Sequence, residues 1–333
     1  MGDNELRLGI NRYDHVQPLL DGRVGVKGYT IRHEDAPIVS EIFARTFAGD
    51  RYDVSELGLT FFLRALDRGD DRFVGIPVFP NRHFRHSSIW VNVDSGIEGP
   101  ADLVGKTIGE LAVYGHDAGI WPKGILSDEH GFRPETNRWL IGGPDWPMHM
   151  ESWAPLKTPE NVDARYAPEG KFLGPMLESG EIDALFSAIV PRCALDKSPR
   201  VTTLFADPQA AERDYYRRTG IFPIMHMVVI RREFLRRHPD AARAVFDAFT
   251  ESADTTLAGY ENGRTDHHMD VMVPWVSPLY EANRELLQAG HWKHGMKANR
   301  QTIDTFLRYA FEQGITDRRY ACEDLFLDEL LDT

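Results

Sequence analysis

The sequence predicts an α/β protein of two lobes, each a mostly parallel sheet flanked by helices, with a ligand cleft between them. Three observations predict it. Short apolar runs alternate with helical patterns through the first part of the chain, and the alternation restarts at Lys106 after a stretch bearing Gly and Pro. In addition, 333 residues exceed what one hydrophobic core usually supports, while 42% hydrophobic and 27% charged residues are ordinary for a globular chain.

In the first part, Leu6 to Asn11, Tyr29 to His33, Val54 to Leu59, Phe73 to Val78 and Ile89 to Val93 read as strands. Ile38, Ile42, Phe43 and Phe47 fall at helical spacing, as do Phe61, Phe62, Ala65 and Leu66. Ser95-Gly96-Ile97-Glu98-Gly99-Pro100 reads as a linker. Beyond it come a strand from Lys106 through Leu111, a helix over Ile120 to Glu129, a strand at Arg138 to Ile141, a helix over Phe172 to Glu178 and a strand at Ile182 to Ser187. Met225 to Ile230 is a further strand, and from Pro239 the pattern is almost wholly helical. The helical C-terminal third has too few strands for a lobe of its own, so it is expected to pack on the first. This gives a discontinuous lobe of residues 1–95 and 225–333 and a second lobe of 96–224, with crossings near 93–100 and 220–226. No internal repeat or low-complexity tract is present.

Charge narrows the partners. Lys and Arg total 38 against 51 Asp and Glu, a formal net charge of −13 that repels phosphate backbones and anionic lipid. Nucleic acid and membrane are therefore not expected partners. A small anionic ligand would need a local concentration of cations. The N-terminus lacks a basic region followed by an apolar one, and no apolar run reaches the roughly 18–20 residues of a membrane span. Cys193 and Cys322, the only cysteines, suit a reducing compartment. The expected location is the cytoplasm.

Several motifs carry a family resemblance. Asp102 to Gly109 and Gly180 to Ala184 resemble strand entries of the second lobe in type 2 periplasmic-binding-protein folds. More specific are Arg12-Tyr13-Asp14 with Pro18-Leu19-Leu20-Asp21-Gly22, Asp53-Val54-Ser55-Glu56, Ile76 to Pro80 with Phe84-Arg85-His86-Ser87-Ser88, and Thr219 to His226. Together they resemble the 4,5-dihydroxyphthalate decarboxylase family, from Leu6 to about Phe326. The resemblance implies a cytoplasmic carboxy-lyase on a solute-binding scaffold, removing one carboxylate from a hydroxylated aromatic diacid. It is weakest from Gly142 to Ala167, with Trp146, His149, Trp153 and Lys157.

Such chemistry needs cations for the carboxylates, an acid for the ring carbon and an acceptor near the hydroxyls, and it requires no redox cofactor. We expect none. Arg82, His83, Arg85, His86, Ser87 and Ser88 put fixed charges, imidazoles and hydroxyls into seven residues, with Arg85 suited to a carboxylate and His86 to a proton. His226, at the second crossing, is another acid/base candidate or else a buried structural histidine. Glu56 stands in an apolar strand, where it needs a substrate hydroxyl or Arg12 as partner. Arg12 could clamp a second carboxylate or merely pair with Asp14. His116 with Asp117, and Arg192, could close from the second lobe, or serve only as caps and surface charges.

The histidine pairs His83/His86, His267/His268 and His291/His294 lack the spacing of a zinc motif, so no metal is expected. Trp275, Trp292 and Tyr309 read as core anchors. The competing function is a cytosolic solute-binding protein that captures an aromatic acid without turning it over. Self-association is left open.

Overall fold

Parallel strands end on the side of a sheet where the chain must turn back, and that fact organises this molecule. The computed structural model describes residues 4–49, 51–148, 158–287 and 292–333. The first sheet contains β1 (Glu5–Gly9), β2 (Thr30–His33), β3 (Val54–Gly58), β4 (Phe73–Arg82) and β11 (Ile224–Arg231), in the order β2-β1-β3-β11-β4. The second contains β5 (Ile89–Asn92), β6 (Thr107–Leu111), β7 (Arg138–Gly142), β8 (Asp163–Tyr166), β9 (Ala184–Phe186) and β10 (Val201–Thr203), in the order β10-β5-β9-β6-β7-β8.

β1 runs parallel to β2 and β3, and β6 runs parallel to β7 and β9. In each sheet the strand that arrives from the other lobe is antiparallel to its neighbours: β11 against β3 and β4, β5 against β9 and β10. The reason is geometric. A chain leaving one sheet at the ends of its parallel strands enters the next sheet from its corresponding end, and so runs back against that sheet's direction.

This places the first crossing earlier than expected. Ile89–Asn92 pairs with Ala184 to Phe186, so the chain leaves the first sheet after Arg82 and the crossing is His83 to Ser88 rather than residues 93–100. The basic motif is itself the crossing. The second crossing, Gly220 to Pro223, lies beside it, with the His83 N–H donating to Pro223 O at 3.0 Å. The unanticipated β8 and β10 are short strands at the edges of the second sheet, where a half-exposed face leaves little apolar alternation to read.

The C-terminal third also differs from expectation. The long helix Ala241–Gly263 does pack on the first lobe, where Ser252 Oγ donates to His15 O at 2.8 Å. The helix Arg300–Glu312 instead lies on the second lobe's Asp117–His130 helix. Its buried stripe of Ile303, Phe306, Leu307 and Ala310 meets Trp121, whose ring is 5.7 Å from that of Phe306, and Tyr309 O–H donates to Asp128 at 2.7 Å. Gly124 permits the approach, because a Cβ there would collide with the Tyr309 ring. The outer edge of β4, a strand that carries Pro77 and Pro80, is covered by the segments around His294 and Phe326. Tyr309 is core as expected, whereas Trp275 is 84% exposed.

Candidate active site

Side chains on β3 are covered on both faces, so a carboxylate in this strand survives only if it is paired. Glu56, 0% exposed, is paired by three donors. The Asn11 N–H donates to Oε2 at 3.1 Å, and the Tyr13 hydroxyl and His226 Nδ1 each reach Oε1 at 2.6 Å. Asn11 and Tyr13 come from the chain just past the end of β1, and His226 stands on β11 opposite Gly58. Asn81 Nδ2 donates to the Tyr13 oxygen at 3.1 Å. Burial, reinforced by the Glu56 charge, pushes the Tyr13 phenol well above its usual range, so its hydroxyl remains a donor. With Nδ1–H directed at the carboxylate, His226 keeps Nε2 for another partner.

A β-bulge aims this histidine. Ile224 pairs with Arg82 and His226 with Asn81, so two steps along β11 match one along β4.

The second lobe supplies the facing wall. After β6 the chain makes a tight turn with Ala112 at φ 61° and Val113 N–H bonded to Leu111 O at 2.6 Å, then enters the helix Asp117–His130. Gly58 precedes the first-lobe helix Leu59–Asp67 and has no side chain to cap it. Asp117 does this from the other lobe, accepting the Thr60 N–H at 2.6 Å. A Cβ on Gly58 would collide with Asp117 Oδ2, so glycine is required for the approach. Burial raises the Asp117 carboxyl above its usual range, against the opposing pull of His226 and of the Thr60 N–H. Arg64 Nη2 adds a second interlobe bond, to Tyr114 O at 2.8 Å. Asp117→Ala should cost about 1 kcal/mol through the lost cap, read as a lower urea midpoint.

Behind this wall, Glu110 and Lys123 form an ion pair of 2.7 Å in which both side chains are 0% exposed. Burial opposes the Glu110 charge, and Lys123 with His116 overrides it to hold the carboxyl below its usual range. The ammonium also lies 3.7 Å from the centre of the Tyr114 ring. Removing Lys123 takes the nearest cation from a sealed carboxylate, so Lys123→Met should cost about 3–5 kcal/mol in urea unfolding. Neither residue was among the expected site residues. The signal was available, since Glu110 stands in an apolar strand just as Glu56 does.

The expected residues separate into three groups. Glu56 and His226 are brought together, and Tyr13 and Asn81, not chosen from sequence, join them; from the second lobe the Asp117 charge acts on His226 and on Arg85. Arg85 is 6% exposed, donates from Nε to Met225 Sδ at 3.3 Å and from Nη1 to Ser88 Oγ at 3.4 Å, and forms no ion pair among the described residues. Burial lowers its guanidinium to about 10, with Asp117 and Glu212 opposing, so it is charged at neutral pH. Ser88 thus orients Arg85, while Ser87 bonds Glu212 through its backbone N–H at 3.0 Å. His116 opens the second-lobe helix, buried against Glu110 at 3.4 Å.

His86 and Arg82 are buried but otherwise engaged. The His86 ring is 5.2 Å from that of Phe205 and 5.4 Å from that of Tyr215. Burial lowers it to about 4, and its charged neighbours are Glu129, His130 and Arg218 rather than the Glu56 group. At neutral pH it is therefore the uncharged imidazole. Arg82 donates to Lys293 O and Asn299 Oδ1 at 2.7 Å each, tying down the segment that covers β4.

Arg12 and Arg192 are surface residues. Arg12 is 59% exposed and bonded to Asp35 at 2.6 Å, so it pairs with neither Glu56 nor Asp14; Arg192, 74% exposed, bonds Asp196 at 2.8 Å. His149, Trp153, Lys157 and His291 lie outside the described residues. Among the described residues no three His, Cys, Asp or Glu side chains are grouped to hold a metal ion, and no helix is long and apolar enough to cross a membrane.

A histidine paired with a carboxylate, and a buried guanidinium without an ion pair among the described residues, are groups that suit an anionic substrate that gains or loses a proton. Comparison with characterised proteins decides the family. A 4,5-dihydroxyphthalate decarboxylase of Comamonas testosteroni is 33% identical over 328 residues, covering 98% of this chain and 97% of that one. The chain belongs to the 4,5-dihydroxyphthalate decarboxylase family. A second member, from Pseudomonas putida, is 36% identical over 222 residues, covering 65% of this chain and 83% of its own. No protein-family model matches the chain. Among solved structures, the periplasmic aliphatic sulphonate binding protein SsuA of Escherichia coli aligns over 99% of both chains with a TM-score of 0.53 and 13% identity. The desulfurization enzyme DSZB aligns over 99% of this chain and 98% of its own, with a TM-score of 0.51 and 14% identity. These likenesses establish for this family member the two-lobed periplasmic-binding-protein fold, which solute-binding proteins and an enzyme share.

Proposed function

We propose that this protein decarboxylates 4,5-dihydroxyphthalate or a closely related hydroxylated aromatic dicarboxylate in the cleft between the lobes. The observation that carries the reading is the Glu56 and His226 pair, with the Asp117 charge acting both on His226 and on the buried Arg85, in a chain whose family relationship spans nearly its full length. Arg85 holds a substrate carboxylate, its planar fork matching the two oxygens. His226 moves the proton, with Glu56 fixing the tautomer and stabilising the imidazolium, and Tyr13 and Asn81 holding Glu56 in place.

In 4,5-dihydroxyphthalate the carbon that loses carbon dioxide has a hydroxyl para to it. Transfer of that hydroxyl proton to His226 Nε2 sends electron density to this carbon, which then takes a proton from the imidazolium. The bond to the carboxylate breaks, carbon dioxide leaves, and its electron pair restores the aromatic ring and the phenolate oxygen. One proton from solvent then balances the reaction. Asp117, whose carboxyl feels the His226 charge from the other lobe, lies near this transfer.

Purified protein incubated with 4,5-dihydroxyphthalate should release one carbon dioxide per substrate and leave 3,4-dihydroxybenzoate. Binding of intact diacid without gas release, here and across a panel of hydroxylated benzene dicarboxylates, would replace the lyase reading with capture alone.

A further inference from the structure

The helices Ala241–Gly263 and Val276–Leu287 form a hairpin whose tip leaves large apolar side chains in water. Met269 is 79% exposed, Met272 99% and Trp275 84%; Val273 stands among them, and Leu279 follows one turn into the second helix, also exposed. Single apolar residues on a surface are ordinary, but these five fall on one short stretch. Together they present roughly 700 Å², above the roughly 300–600 Å² of the largest apolar patch on a typical monomer.

The loop that carries them has a small core of its own. His268, 2% exposed, donates from Nε2 to Tyr260 O at 2.9 Å and meets Ser277 Oγ through Nδ1 at 2.8 Å, and its ring lies 5.0 Å from that of Tyr280. Gly263 makes room for it, since a Cβ there would come 2.9 Å from the imidazole. His267, His268 and Trp275 hold a left-handed backbone, at φ 62°, 55° and 59°, which residues other than glycine disfavour and which persists only where the surroundings impose it. The polar side chain is thus inside and the apolar ones outside, the reverse of what a free surface would select.

Beside the tip lies an open groove of about 970 Å³ between the two helices, with Leu257, Val276, Leu279 and Leu287 in its lining. No residue of Val276–Leu287 is buried, so the apolar side of that helix lacks the cover an amphipathic helix normally finds. Leu279 belongs both to the exposed patch and to the groove, which makes the two continuous.

Charge narrows the occupant. Asp266, Asp270 and Glu285 stand exposed around the tip of a chain carrying −13 overall, an arrangement that repels an anionic bilayer. The nearby Arg264 and Arg284 are engaged by Glu281 and Glu261 within the hairpin. What fits is the same hairpin on another molecule. Each copy offers a projection and a groove, and a two-fold axis lets each projection enter the other groove, so that both are covered at once. The patch with the groove walls supplies about the 800 Å² per partner that a standard interface needs.

We propose that two copies of this chain associate through this hairpin about a two-fold axis, with Trp275 and Met272 of each seated in the groove between the two helices of the other. The contact stands apart from the Glu56 centre and does not rest on the decarboxylation reading.

Sedimentation of the full-length protein at micromolar concentrations should show two chains, or a multiple of two. Trp275→Ser and Met272→Ser alter only exposed positions and should each weaken self-association about a hundredfold or more, because a two-fold contact loses the side chain twice. Circular dichroism matching that of the parent shows that each variant is folded. Cys193 and Cys322 are buried, so an added surface thiol can be followed by itself. Chains carrying Trp275→Cys, mixed with chains carrying Leu257→Cys and mildly oxidised, should yield a disulfide-linked pair with one of each. A parent protein that stays a single chain overturns the proposal, and flotation of that single chain with phosphatidylcholine vesicles would assign the patch to a lipid surface instead. An oligomer that persists unchanged in folded Trp275→Ser, or whose two cysteine chains fail to link, overturns it as well.

Discussion

Replacing His226 with alanine should lower the turnover number for decarboxylation by about 10²- to 10⁴-fold, the range usual for loss of a positioned acid/base group, while KM changes little. The expectation follows from geometry. His226 Nδ1 is committed to Glu56 at 2.6 Å, which leaves Nε2 for the proposed proton transfer with a charge partner behind the ring. Glu56→Gln should lower turnover in the same direction, because an amide cannot stabilise the imidazolium. His86 provides the control. It sits against Phe205 and Tyr215 and is lowered to about 4 by burial, so His86→Phe should leave turnover near that of the parent protein. Steady-state rates for the three variants decide the matter: a collapse in His86→Phe with His226→Ala intact would return the proton to the crossing segment.

Arg85→Gln should act on binding instead. A guanidinium taken out of water without a carboxylate partner is costly to the empty protein and valuable to an incoming anion. Truncating one side of a buried charge pair costs about 2 kcal/mol or more, roughly 30-fold in the substrate's KM. Arg85→Lys should recover only part of this loss, since a single ammonium cannot match both carboxylate oxygens. Folding stability separates this role from a structural one. If Arg85 waits for substrate, Arg85→Gln leaves the urea midpoint of the empty protein unchanged or raised. A marked fall with unchanged KM would make it a packing residue.

Much of this was readable locally. The βαβ rhythm, the restart at Lys106 and the helical C-terminal third follow from residue periodicity, which reflects which face of each element must be covered. Glu56 could be singled out because a carboxylate in a strand buried on both faces has to be satisfied. Arg85 could be chosen because it stands in a local basic cluster of an acidic chain, within a motif that resembles the family. The errors share one source. Ile89 to Val93 looked like a strand continuing the first lobe, yet which sheet it joins depends on Ala184 to Phe186, far along the chain. The helix Arg300–Glu312 has an apolar stripe, but nothing in the stripe says that Trp121 will meet it. Arg12 looked like a clamp until Asp35 came within 2.6 Å of it.

By itself the sequence determined the fold class, the family and the demand that Glu56 be paired, because these depend on composition, periodicity and the cost of burying charge. Only the tertiary structure decided who answers that demand. His226 is 170 residues from Glu56 in the chain and becomes its partner because β11 inserts between β3 and β4 with a bulge beside Asn81. The same folding packed His86 among aromatic rings, where burial disfavours the imidazolium. Proton affinity and charge pairing are properties of a side chain's neighbours, and here the neighbours that matter arrive from other strands and from the other lobe.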